Sequence, residues 1–188
     1  MPNESLVFVT LVILAFAVAL NLALTFRMSA LLRALAAPKS LTVPTGQQVG
    51  EFGGRFAKSG QSFLSKDILG EFSFFIFLSS QCPKCLATIP ELVEIVPAAI
   101  ASGHAVWIIC QDKTDGLQCI PNESPLREYV IELDGGMGKR LNPQSASPYY
   151  LFLDGLGISR SGGLIGDAYW QSFAGQMHEL MVQEGAGR

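Results

Sequence analysis

Residues 72–96 read FSFFIFLSSQCPKCLATIPELVEIV, an apolar run that ends at two closely spaced cysteines and passes into a second apolar pattern of different period. The first run, 72–78, is short and aromatic-rich, with Gly70 before it and Ser79 and Ser80 after it, which predicts a buried strand. Beyond the cysteines Leu86, Ile89, Leu92, Val93 and Val96 recur at spacings of three and four, which predicts a helix with these residues on its buried face and Glu91 and Glu94 towards water. A strand thus delivers Cys82-Pro83-Lys84-Cys85 to the start of a helix. The first turn of a helix carries unpaired N–H groups and about half a positive charge, both of which favour a thiolate. Lys84 adds a cation between the sulfurs, and Cys-x-x-Cys sites of this kind lower a thiol pKa from about 8.5 to between roughly 3.5 and 7.5. Cys82 is therefore the expected nucleophile, and Cys85, one turn deeper, the expected resolving thiol.

Working outward, the 188 residues carry a net charge of −3 and no basic cluster beyond 27–39. Nucleic acid is excluded as a partner, because phosphate binding needs a dense Lys/Arg stripe. The uncharged run 5–26 opens at Ser5 and closes at Phe26; as a helix it reaches about 33 Å, enough for a hydrocarbon core of about 30 Å. A cleaved signal peptide fits less well. The leading Met-Pro-Asn-Glu has no Lys or Arg, the run is long, and Arg27 and Arg33 intervene before an Ala34-Leu35-Ala36 site. The expected organisation is a transmembrane anchor over 1–27, a linker over 28–44, and one domain over 45–188. Arg27, Arg33 and Lys39 follow the span, and the positive-inside rule alone would keep the domain in the cytoplasm.

Along the domain, 56–62 and 62–69 predict a short hairpin around Ser59-Gly60-Gln61. Pro97 and Gly103 are expected to end the first helix, and HAVWIIC at 104–110 reads as a second buried strand, with His104 at its end and Trp107 in the core. A polar loop over 112–125 carries Cys119. Cys110 and Cys119 either form a second disulfide or leave Cys110 a buried strand thiol, and the spacing leaves both open. A strand over 127–134 and a short helix over 135–141 precede a loop into Ser147-Pro148. Residues 149–153 form a third apolar strand, Asp154-Gly155 its turn and 157–164 its partner. Asp167 caps a last helix over 168–182 whose Trp170, Phe173, Met177 and Leu180 or Met181 are expected to face the sheet; His178 on it is given no ligand role.

The strand, the Cys-x-x-Cys, the helix and Pro90, eight residues after Cys82, resemble the thioredoxin-like proteins. Ser147-Pro148 followed by YYLFLDGLG looks like that family's cis-proline loop and the strand after it, so the resemblance covers about residues 45–183. It implies a central mixed sheet flanked by helices. The usual Trp-Cys-Gly-Pro-Cys is here Gln81-Cys82-Pro83-Lys84-Cys85, and the family's buried carboxylate corresponds to Ile76. Among membrane-anchored relatives the chain most resembles the methylamine utilisation protein D type, by its apolar N-terminal helix, Val49-Gly50-Glu51, the C-P-x-C site and the late P-Y-x-x-F-L-D-x-x-G strand.

The resemblance implies thiol-disulfide exchange, with Ser147 and Pro148 holding an extended peptide beside Cys82 by strand addition; an ordinary trans Pro148 opening an edge strand is the alternative. It implies no organic cofactor beyond the redox-active disulfide. The client it implies is an exported polypeptide with several disulfides, such as the small subunit of a quinoprotein amine dehydrogenase, met in the periplasm on the outer side of a bacterial inner membrane, against the charge rule. The Pro83-Lys84 pair leans towards oxidation or isomerisation. A zinc-binding interaction module built on four cysteines is a rival reading, opposed by the spacing of Cys110 and Cys119. A peroxiredoxin is another, opposed by Phe75 and Ser79 where that family's Pro and Thr would stand.

Overall fold

A computed structural model describes residues 2–36, 42–111 and 117–186. It divides into an N-terminal helix and one α/β domain, taken here separately. The helix α1 runs Pro2–Ala36, and within it Val7–Ser29 has a mean hydropathy of 2.7 and the length and apolarity to cross a membrane. It continues past Arg27 into the stretch expected as linker. Met28 to Ala36 is rich in Ala, Leu and Arg, all strong helix formers, and the first breaker is Pro38. The rest of the expected linker includes 37–41, which lie outside the described residues.

In the domain the strands are β1 (Gly53–Phe56), β2 (Ser62–Leu64), β3 (Phe72–Leu78), β4 (His104–Cys110), β5 (Ile131–Leu133), β6 (Tyr149–Asp154) and β7 (Ser159–Leu164). The helices are α2 (Ser65–Ile68), α3 (Pro83–Ala101), α4 (Met137–Leu141) and α5 (Ala168–Ala186). The main sheet has the order β4-β3-β6-β7, with β3 and β4 parallel and the other pairs antiparallel. A parallel pair needs a crossover, and α3 supplies it. A smaller sheet, β2-β1-β5, is antiparallel throughout.

β3 is central and covered on both faces, so its sequence runs apolar without alternation. Phe74, Ile76 and Leu78 belong to the core shared with α3 and α5, where Leu92, Ile95, Trp170 and Met177 are buried. Phe75 and Phe77 belong to the opposite core, with Phe52, Phe63, Ile131, Leu141 and Leu151. The mixed sheet flanked by helices is as the resemblance implies.

Several local expectations need correction. The predicted hairpin arms 56–62 and 62–69 are displaced: β1 ends at Phe56, and after Leu64 the chain turns into α2, because the Asp67 carboxylate accepts the Leu64 N–H at 2.9 Å and starts a helical turn. Pro97 does not end α3. It is exposed, and the helix runs on to Ala101, closed by the Ser102 N–H on Ala98 O. Leu86 is 50% exposed, not on the buried face; the stripe runs through Cys85, Ile89, Leu92 and Val96. Glu91 is half-buried and accepts the indole N–H of Trp170 at 2.9 Å, which a tryptophan this deeply buried requires. Within 127–134 only Ile131–Leu133 is strand, since Pro125–Tyr129 forms a 3-10 turn capped by Ser124.

Candidate active site

Where β3 ends, Ser79 turns the chain: its carbonyl accepts from Cys82 N at 3.2 Å and its hydroxyl from Gln81 N at 3.3 Å. Cys82 is the N-cap of α3. Its Sγ accepts the Cys85 backbone N–H at 3.3 Å, one of the orphan donors of the first turn. Pro83 follows, where a missing N–H costs nothing. The helix geometry sorts the two thiols, leaving Cys82 partly exposed while Cys85, one turn on, is 1% exposed within the α3/α5 core. Pro83 and Lys84 are exposed beside them.

The Ser147–Pro148 peptide bond is cis, and the Ser147 carbonyl lies 3.5 Å from Cys82 Sγ. Residues 65 positions apart thus share one site with Cys85. Pro148 is buried and Ser147 half-buried.

Burial acts on Cys82 to raise its pKa, but donors outweigh it and hold the thiol below its ordinary value: the Cys85 thiol and amide first, then the Ser147 hydroxyl and the Lys84 amide. The Ser147 carbonyl accepts from the protonated thiol and works against these donors. Cys85 moves the other way. Burial, and its hydrogen bond to Cys82, push it up to about 11. Cys82 is therefore the more acidic of the two thiols and Cys85 the less acidic, an order compatible with disulfide exchange.

Two residues that the sequence reading passed over hold the loop in place. Asn142, 1% exposed, accepts the Ala146 N–H at 3.0 Å and donates to the Ala146 carbonyl at 2.7 Å. Gln111 donates to that same carbonyl at 2.8 Å, while its own N–H pairs with Leu78 O at the end of β3. The one sequence signal was an Asn directly after a helix, and nothing in it indicates a partner four residues on.

Cys110 and Cys119 are bonded to each other, with Cα atoms 5.6 Å apart. This bridge closes the loop whose residues 112–116 lie outside the description. It also takes two of the four cysteines away from any shared zinc site, and among the described residues no three His, Cys, Asp or Glu cluster as metal ligands. His104 sits at the start of β4 with Nδ1 3.2 Å from Ala99 O, a structural contact remote from the cysteines in the fold.

Compared with protein-family models and with curated proteins, the chain matches none. Solved structures do match. A thiol:disulfide interchange protein from Bacteroides sp. superposes with a TM-score of 0.57 at 20% identity, over 72% of this chain and 91% of that one. The thioredoxin domain of a thiol-disulfide oxidoreductase from Bacteroides vulgatus gives 0.56 at 18%, over 72% and 99%. The exposed lipoprotein thioredoxin Etrx1 of Streptococcus pneumoniae gives 0.50 at 18%, over 69% and 99%. The domain is a thioredoxin-like fold, and its two free thiols stand at the junction of β3 and α3.

Proposed function

We propose that the protein exchanges thiols and disulfides with extended polypeptide clients. One observation carries this reading: a partly exposed thiol with a lowered pKa sits at a helix N-terminus, one turn from a buried thiol and 3.5 Å from the backbone carbonyl of Ser147. In the reductive direction the Cys82 thiolate attacks a client disulfide, forming a mixed disulfide and releasing one client sulfur as thiolate. Cys85 then loses its proton and attacks Cys82, which leaves Cys82–Cys85 oxidised and the second client sulfur free. Oxidation is the reverse, and isomerisation stops at the mixed disulfide. The two sulfurs carry the electrons, so no organic cofactor takes part. Ser147 and Pro148 present the backbone against which the client strand lies.

In the fuller reading, by resemblance to the methylamine utilisation D type, α1 is a retained single-pass anchor and the domain works on the periplasmic side of a bacterial inner membrane. Its client there is an exported subunit with several disulfides, such as an amine dehydrogenase small subunit. Three cations after the span bias the topology the other way, but charge bias is weak for long domains, which translocate largely regardless of it. A C-terminal phosphatase fusion tests the topology, with activity expected outside the cytoplasm. For the chemistry, Cys85→Ser is expected to accumulate covalent client adducts through Cys82 that reductant releases. An absence of adducts with Cys82 present and alkylatable would overturn the exchange reading.

A further inference from the structure

We propose that α1 pairs with α1 of a second copy of this chain along a seam centred on Asn21, making the protein a homodimer within the membrane. The proposal rests on α1 being a retained span. Within Val7–Ser29 the uncharged hydrogen-bonding side chains are Thr10, Asn21, Thr25 and, at the last residue, Ser29. The two threonines are satisfied within the helix: the Thr10 hydroxyl donates to Val7 O and the Thr25 hydroxyl to Asn21 O, each at 2.8 Å. The Asn21 carboxamide has two donors and an acceptor, and among the described residues no hydrogen bond satisfies them. It stands three residues from the middle of the span, about 4.5 Å along the axis, so a lipid environment offers it no partner.

Among the described residues α1 is the one helix fit to cross a membrane, so no second span among them supplies the partner. A second copy does. In a parallel pair the two Asn21 amides meet at the same depth, and a carboxamide is its own complement, each N–H donating to the other's oxygen. The contact is self-complementary, as a two-fold dimer requires. The neighbours agree: Leu14, Ala17, Asn21, Leu24 and Met28 recur at spacings of three, four, three and four, the seam of a left-handed helix pair. Ala17, one turn before Asn21, is small enough to let the backbones approach.

The test uses the full chain in liposomes under reductant, with dimerisation followed by energy transfer between labelled copies as protein density is varied. Asn21→Leu is expected to lower the association constant about threefold to thirtyfold, the range that a membrane-embedded side-chain hydrogen bond carries, and Asn21→Gln to retain it. In a separate sample without reductant, in a Cys82→Ser/Cys85→Ser background and with copper-phenanthroline as oxidant, Ala17→Cys is expected to form a disulfide between copies and Ala19→Cys, on the opposite side of the helix, is not. A chain that stays in the membrane but is monomeric at all densities, associates equally well as Asn21→Leu, or pairs only with a different membrane polypeptide overturns the pairing and leaves the anchor reading standing. Loss of α1 from the mature protein, seen by intact mass, overturns both.

Discussion

Cys82 and Cys85 lie within one helical turn, yet the fold separates them chemically: the first accepts hydrogen bonds at the helix mouth and the second is enclosed by α3 and α5. The sign of each shift fixes a pH dependence. Because the Cys82 pKa is lowered, its thiolate persists below the ordinary thiol range, and reaction with iodoacetamide should slow only as pH falls through that lowered value. Cys85, pushed up to about 11, should gain reactivity only as pH approaches that value. Rates followed by mass spectrometry across pH 4–11 check both, and a Cys82 midpoint at or above that of glutathione would remove the activated-thiolate role. Asn142 acts on the same site through Ala146. Asn142→Ala leaves the Ala146 N–H without that partner and is expected to cost about 1–3 kcal/mol in denaturant unfolding. It should slow adduct formation by the Cys85→Ser protein while the Cys82 alkylation profile moves little; equal slowing of both would assign Asn142 to stability alone.

At the scale of elements, β3 and α3 were legible because period is a property of the sequence itself: an unbroken aromatic run for a strand covered on both faces, then spacings of three and four. What was not legible depended on partners distant in the chain. The Trp170 indole draws Glu91 out of the water that its position on α3 suggested, and the Asp67 side chain cuts β2 short at Leu64. Of the candidate site, the cysteines and Ser147-Pro148 could be read as motifs, whereas Gln111 and Asn142 could not, since neither lies in a motif and both act on the backbone of another segment. The pairing of Cys110 with Cys119 likewise waited on a distance. Phe75, fully buried at the centre of β3, should be the costliest single truncation: Phe75→Ala is expected to lose about 3–5 kcal/mol by chemical denaturation. Asp167 starts α5 by accepting Trp170 N at 2.9 Å and also receives the Tyr150 hydroxyl. Gly163 is needed beside it, because a Cβ there would overlap the Asp167 carboxylate. Asp167→Ala should cost about 1 kcal/mol or more from the lost cap, read in the same denaturation experiment.

Across the whole domain, the four cysteines divide into a bonded pair at the end of β4 and an unbonded pair at the end of β3. Replacing Cys110 and Cys119 together by Ala should lower stability by about 2–3 kcal/mol, the entropy of closing a short loop, while Cys82 adducts still form. If adducts vanish although the variant stays folded by circular dichroism, the bridge belongs to the exchange chemistry itself. Ile76 bears on the tempo of that chemistry. It is 2% exposed and lies in the same core as Cys85, in the place where the thioredoxin-like family carries its carboxylate. With an aliphatic side chain in that place, the leading influences on Cys85 are burial, Cys82, Ser79 and Ser147, none of them an acid that could ferry a proton away. Under the proposed exchange, departure of a tethered client is then expected to be slow relative to its capture. A catalyst of that kind would linger on each visitor, long enough for bridges elsewhere in the same polypeptide to be tried and exchanged before it leaves.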